Sequence, residues 1–277
     1  MKKALYIICM FAMATIISCD KIDSDEYVVF AGAFGEWSDG AGVADKSQRA
    51  FLEKYTGPKC PNCPDADAII HDAQEKYGNK FLAVSIHDSS FFGLPLGDVD
   101  LRTEDGNTWS KFFGIDRYPR AIINRSKNND TWDAFAPTSS FDDRIDNVLA
   151  QDALLAMGMS ATNINNSIEI KVDIEHLATL NEAITLTLLI VEDSIVAPQS
   201  MPDHSTNQEY VHNHILRDVI TDIWGADVES SGAAGVKRSA IFSYIPTNVM
   251  NIENCHIIGF VSFKESRQII NAASCTI

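Results

Sequence analysis

The sequence runs to 277 residues, 45% of them hydrophobic, with a formal net charge of -16 at pH 7. A chain of that length and apolar content fits two domains of ordinary size with real cores. No cluster or stripe of Lys and Arg accompanies the acidity, which excludes nucleic acid as a partner and charge-driven attraction to an anionic membrane; the acidic residues read as a solvated, self-repelling exterior.

Met1-Lys2-Lys3 and the unbroken apolar run over residues 4–17 have the form of an export signal, with a positive start and a core too short to span a bilayer comfortably. The run ends Ile16-Ile17-Ser18-Cys19, which resembles the bacterial lipobox. Residues 1–18 are therefore read as a lipoprotein signal peptide and Cys19 as the lipidation site, the partner being the membrane through an N-terminal lipid anchor. Ordinary secretion with Cys19 as a chance thiol, or an uncleaved anchor, are the alternatives. Residues 19–48 read as a tether and N-terminal extension; Asp20, Asp23, Asp25 and Glu26 stand against Lys21 alone, a short acidic stretch that also resembles the surface-export signals of Bacteroidota lipoproteins. The expected location is the cell envelope, as an outer-membrane lipoprotein on either face. Of six cysteines, Cys9 and Cys19 belong to the targeting segment, leaving Cys60, Cys63, Cys255 and Cys275 for two disulfides outside the reducing cytoplasm.

Residues 49–55 have the pattern of a strand, broken by Thr56-Gly57-Pro58. Lys59-Cys60-Pro61-Asn62-Cys63-Pro64 follows, and then Ala66, Ile69, Ile70 and Ala73 recur at helical spacing up to Gly78. The apolar run over 81–86 suits a buried parallel strand, so the two cysteines sit at the turn of a β-α-β unit, the context in which C-x-x-C is read as thioredoxin-like. Residues 87–108 are an insertion rich in Gly, Asp and Ser. A helical turn at 109–114, a strand at 120–124 and a helix over 138–157 complete this half. From 166 to 175 the chain alternates Ile168, Ile170, Val172 and Ile174 with charged residues, and further strands are expected at 183–191, 208–220, 238–245, 256–263 and 268–276. The predicted fold is an α/β thioredoxin-like domain over 49–156, followed by an all-β, immunoglobulin-like sandwich over 157–277.

Cys60-Pro61-Asn62-Cys63 at a β-to-α turn, with Tyr118-Pro119 just before a later strand, resembles the thioredoxin fold, which implies a cis-proline at Pro119 facing the cysteines. The chain departs from that pattern in having Lys59 where thioredoxins usually place Trp, and in Glu53, a stand-in for their buried acid, lying one residue off the expected face. The stretch Glu53-Lys54-Tyr55-Thr56-Gly57 leading into Cys60 and Cys63, and Tyr210-Val211-His212-Asn213-His214-Ile215-Leu216-Arg217, resemble the outer-membrane-protein twenty-eight (Omp-twenty-eight) related lipoproteins of Bacteroidota. That resemblance implies an envelope lipoprotein.

Three readings of Cys60 and Cys63 stand side by side: a redox pair, a static disulfide and half of a metal site that lacks nearby ligands. In the redox reading Cys60 attacks a protein disulfide, Cys63 resolves the mixed disulfide, Pro119 shapes the docking edge, and no diffusible cofactor is required. The helix N-terminus and Lys59 favour the Cys60 thiolate, while Asp65 and Asp67 oppose it. The alternative function is a non-catalytic binding or scaffolding lipoprotein with a fixed Cys60-Cys63 staple. Cys255 and Cys275 are symmetric about Glu265 in a hairpin and are expected to form a structural disulfide. His212 and His214 would share one face of a strand, where with His204 they form a weak metal candidate; no metal is assigned.

Overall fold

Residues 50–56 are buried without exception, as a strand covered on both faces requires. In the computed structural model, which describes residues 35–138 and 141–277, they form strand β1 (Ala50–Thr56). Helix α1 (Cys63–Tyr77) and strand β2 (Phe81–His87) follow, β2 lying parallel to β1 with Thr56 opposite His87. Pro64 occupies the first turn of α1, where no N–H partner is lost, and Gly78 ends the helix at φ 57°. Helix α2 (Glu104–Phe112) is capped by Thr103, whose side chain accepts from the Gly106 N–H. Strand β3 (Arg120–Ile123) pairs antiparallel with β1, and helix α3 (Asp142–Leu149) comes after it. The helix expected over 138–157 is shorter because exposed Gln151 and Asp152 interrupt it, and Leu155 to Met157 are buried in a strand instead.

The remaining long strands are β4 (Leu155–Ile164), β5 (Ser167–His176), β6 (Ile184–Glu192), β7 (Ile195–Ser200), β8 (Thr206–His212), β9 (Ile215–Val219), β10 (Lys237–Tyr244), β11 (Cys255–Phe263) and β12 (Ile269–Thr276). Ser38–Asp39, β10, β5 and β4 make a four-stranded antiparallel sheet. Its inward residues Ile168, Ile170, Val172, Ile174 and Phe242 pack on Leu186, Leu188, Ile190 and Ile257 of a larger sheet, so the alternation read from the sequence produces a sandwich.

The larger sheet runs β12-β11-β6-β9-β2-β1-β3, with Ala226–Asp227 also pairing with β6. The chain is thus β-rich, with few helices. The expected boundary between 156 and 157 falls inside β4, and strands from both sides of it join this one sheet, β9 lying parallel to β2 with Ile215 opposite Ser85. Two buried asparagines tie the far ends together. Asn124 Oδ1 accepts the Phe51 N–H at 2.8 Å while its backbone carbonyl accepts the Ile269 N–H at 3.0 Å; Asn271 accepts the Arg49 N–H at 3.0 Å and donates to the Leu155 carbonyl at 2.8 Å. Residues of both halves therefore belong to one compact unit. The reason is economical in physical terms: β2 would otherwise be an open edge, and β9 covers it.

α1 and α3 pack against Ala50, Leu52, Phe81, Ala83 and Ile123 on one face, while Trp109 and Phe113 pack against Phe51, Tyr55, Ile86, Leu189 and Phe260 on the other. Glu53 lies on this second face, fully buried, where Arg125 grips it with bonds of 2.8, 2.9 and 3.2 Å. The guanidinium stands 4.7 Å from the Trp109 ring centroid, 5.1 Å from that of Phe113 and 4.8 Å from that of Phe260. Glu53 is therefore no stand-in for an acid behind the cysteines.

Candidate functional site: a buried disulfide under a hairpin

β1 delivers the chain into a tight turn in which the Cys60 N–H donates to the Gly57 carbonyl (3.0 Å) and the Cys63 N–H to the Cys60 carbonyl (3.2 Å). Cys63 then opens α1. The two sulfurs are joined in a disulfide whose Cα atoms are 5.4 Å apart, and Tyr118-Pro119 is cis. Asn62 and Pro119 line one shallow groove of about 340 Å³ together with Tyr118 and Arg117.

The disulfide itself is closed off: Cys60 is 1% exposed and Cys63 0%. Two segments lie over the turn. From the insertion, the Phe92 carbonyl accepts the Lys59 N–H at 3.0 Å, and a Cβ on Gly57 would stand 2.1 Å from that same carbonyl, so no other residue fits there without moving the loop. Asp88 anchors this loop, accepting hydrogen bonds from the Ser110 and Tyr118 hydroxyls; burial, and then that hydrogen bond, push the Tyr118 hydroxyl up to about 12. Lys59 is turned outward over the ring of Phe91, 5.2 Å from its centroid.

From the second half, the β7-β8 hairpin covers the other side. The Gln199 amide donates to the Cys60 carbonyl at 2.9 Å and the Ser200 N–H donates to the Pro58 carbonyl at 2.8 Å. An irregularity in the hairpin between Ala197 and Gln199, around Pro198, accompanies the inward placement of the buried Gln199. Beneath the hairpin lies a polar group that the sequence reading missed. Lys54, on the α1 face of β1, is buried and paired with Asp67 of α1, and the Tyr210 hydroxyl donates to the other oxygen of Asp67 at 3.0 Å. Lys54 thus occupies the face on which the acid was sought. The His87 and His212 rings are 6.0 Å apart; burial, with Lys54 and His87's neighbour His212 contributing, drives the His87 pKa well down, and burial lowers that of His212 to about 4.

His212 and His214 do not share a face. The expected strand over 208–220 is two strands, β8 in the hairpin and β9 in the large sheet, and His214 sits at the crossing with φ 60°. It turns to Asp193 and His256, with Nδ1–Oδ separations of 3.2 Å for His214 and 3.3 Å for His256. Burial lowers the His214 pKa, and Asp193 is lowered on balance: burial raises it, but the His256 hydrogen bond and the His214 charge outweigh this.

Cys255 and Cys275 are free thiols, which corrects the expected disulfide. The β11-β12 register pairs Ile257 with Cys275, so Cys255 is displaced by two residues from the position opposite it. On the turn side Ser262 is opposite Ile269, already one residue off symmetry about Glu265, and the bulge between Val261 and Ser262 adds the second, which counting along the chain misses. Cys19 lies outside the described residues.

With this geometry in view, the Omp28 outer membrane protein family matches residues 106–277, well over half of the chain. The chain belongs to that family. Its Omp28 portion contains the hairpin, β9 and the His214 cluster but not Cys60 and Cys63. This membership associates the protein with the outer membrane of the cell envelope, and among the described residues no helix is long and apolar enough to cross a membrane.

Among solved structures, HBP35 of Porphyromonas gingivalis is similar, with TM-score 0.65 at 16% identity over 85% of this chain and 77% of that one. A protein from Agrobacterium tumefaciens gives TM-score 0.51 at 15% identity, over 83% and 95% of the two chains. A domain of the outer membrane lipoprotein Omp28 from P. gingivalis gives TM-score 0.33 at 16% identity, over 46% and 90%. The first two likenesses concern the fold alone. A search of the curated proteins finds no match.

Proposed function

We propose that this Omp28-family protein is a lipid-anchored, non-catalytic binding or scaffolding protein of the outer membrane. In this reading acyl chains on Cys19 hold it after removal of residues 1–18, and its first half is a thioredoxin-like unit built around β2-β1-β3. The arrangement of α1 and α3 on one face and α2 on the other supports that description, as does the C-x-x-C at the start of α1. One observation carries the functional reading: both sulfurs of Cys60-Cys63 are buried, with the Cys60 carbonyl held by Gln199 from a distant hairpin. Thiol-disulfide exchange requires a thiolate to reach a sulfur in line, and a covered sulfur is not reached. The disulfide then acts as a staple at the junction of α1, the insertion and the hairpin.

The groove shared by Asn62 and Pro119 favours a second reading, in which the hairpin lifts and the pair exchanges with envelope proteins, Cys60 attacking and Cys63 resolving. Trapping separates the two. Cys63→Ala, expressed in the envelope, is expected to capture no protein through Cys60, and the wild-type pair is expected to remain oxidised to alkylating reagents. Reproducible mixed disulfides through Cys60 would replace the scaffold reading with exchange.

A further inference from the structure

We propose that Asp193, His214 and His256 form a binding site for a first-row divalent cation of the zinc class. The sheet itself assembles the three. Asp193 follows the last residue of β6, His214 precedes the first of β9, and His256 is the second residue of β11. Glu192 is opposite Ile215 on one side and Cys255 on the other, so three neighbouring strands bring these side chains to one rim. The distances suit an ion. His214 Nδ1 stands 3.2 Å from Oδ1 of Asp193 and His256 Nδ1 stands 3.3 Å from its Oδ2, so the carboxylate lies between the two rings with one oxygen toward each. One ligand atom from each of the three residues lies within 4.8 Å of the others. The rings are 6.3 Å apart and inclined at 77°, crossing rather than stacking, with a nitrogen of each aimed at the same carboxylate.

The carboxylate is already positioned. Oδ1 of Asp193 accepts the backbone N–H of His214 at 2.6 Å, and the backbone N–H of Asp193 donates to the Asn254 carbonyl at 3.0 Å. The side chains of Asp193, His214 and His256 are 33%, 27% and 21% exposed, which gives an ion a way in. Two imidazoles and one carboxylate are a donor set for zinc, iron, nickel or copper rather than for calcium or magnesium, which take oxygen ligands. Three protein ligands leave a fourth position for water. Bound there, the ion would clip β6, β9 and β11 together and raise the melting temperature.

The test uses the full-length chain stripped of metal and titrated with zinc against a chromophoric chelator. One equivalent is expected to bind, and Asp193→Asn and His256→Gln are each expected to weaken it about tenfold or more. A measurement on the wild type alone removes dependence on how the variants fold: zinc should shift the imidazole resonances of His214 and His256 among the seven histidines. No stoichiometric uptake, zinc bound equally well by folded variants, or resonance shifts confined to other histidines would each overturn the proposal and leave a hydrogen-bonded His-Asp-His cluster.

Discussion

Replacing Arg125 by Met tests whether the buried pair it forms with Glu53 is needed by the core around Trp109, Phe113 and Phe260. Arg125 is 1% exposed and supplies both nitrogens that grip Glu53, itself 0% exposed, through three contacts of 2.8–3.2 Å. Met keeps much of the volume between Trp109, Phe113 and Phe260 but leaves a buried carboxylate without its cation. Breaking such a pair from one side costs about 3–5 kcal/mol, a large part of the roughly 5–15 kcal/mol by which native proteins are stable. For a chain of this size that corresponds to a fall in Tm of roughly 5–9 °C. The assay is urea unfolding at neutral pH followed by tryptophan fluorescence and far-ultraviolet circular dichroism. The double variant Glu53→Met with Arg125→Met is expected to recover most of the loss, because no charge is then buried. A loss below about 1 kcal/mol in Arg125→Met, or a double variant worse than the single one, would refute the description of this pair as buried and mutually dependent.

Gln199→Ala removes the amide that holds the Cys60 carbonyl; the Cys63 N–H still donates to that carbonyl, so the loss is that of one ordinary bond, about 0.5–1.5 kcal/mol, and native-state reduction of Cys60-Cys63 by dithiothreitol should speed up roughly 2- to 12-fold. An unchanged rate would mean that the hairpin does not control access. Burial pushes the Cys255 thiol up to about 12 and the Cys275 thiol up to about 11; neither is expected to take iodoacetamide at pH 8 until urea unfolds the chain, when mass spectrometry should count both. The His212 pKa is about 4 in the fold against an ordinary value near 6.5, so the unfolded chain binds more protons and the stability this group confers, complete above about pH 6.5, is lost as pH falls toward 4. From pH 7 to 5 that loss is about 2 kcal/mol, and it should be absent from His212→Asn in paired urea titrations. Asp105 has the opposite sign: burial and then Asp218 raise it to about 6, so it adds stability as pH falls through 6, and Asp105→Asn should steepen the acid loss.

Much of the local structure is legible in the sequence, because local rules set it. The C-x-x-C with Pro64 and the run of Ala66, Ile70 and Ala73 mark where α1 begins and which face it buries, and Ile168 to Ile174 announce the wet and dry faces of β5. What escapes is set by contacts distant in sequence. That β9 would extend the sheet of the first half beside β2 follows from the need to cover an edge, and no local pattern records which strand does so. Gln199 was unremarkable until the fold set it 139 positions away, against Cys60. The Cys255-Cys275 expectation failed by two residues of register, one set by the turn and one by the bulge. Glu53 and Lys54 show how narrow the margin is: neighbours on one strand face opposite cores, one closing on Arg125 and the other on Asp67. A signal for the metal-type cluster was present in His214 and His256, but Asp193 joins them only through three-strand register.

The most direct test of the shielded disulfide is its rate of reduction in the folded protein. Dithiothreitol is applied at pH 8 to the native chain and to the chain in denaturing urea, and the thiols released from Cys60 and Cys63 are counted by maleimide labelling over time. A covered pair that opens only with its hairpin should be reduced at least about a hundredfold more slowly in the native chain, since each 1.4 kcal/mol of opening free energy is a factor of ten and the closed form is held by several buried hydrogen bonds. Equal rates in the two conditions, with Cys60 labelled first in the native protein, would contradict the account and make the pair a working exchange site.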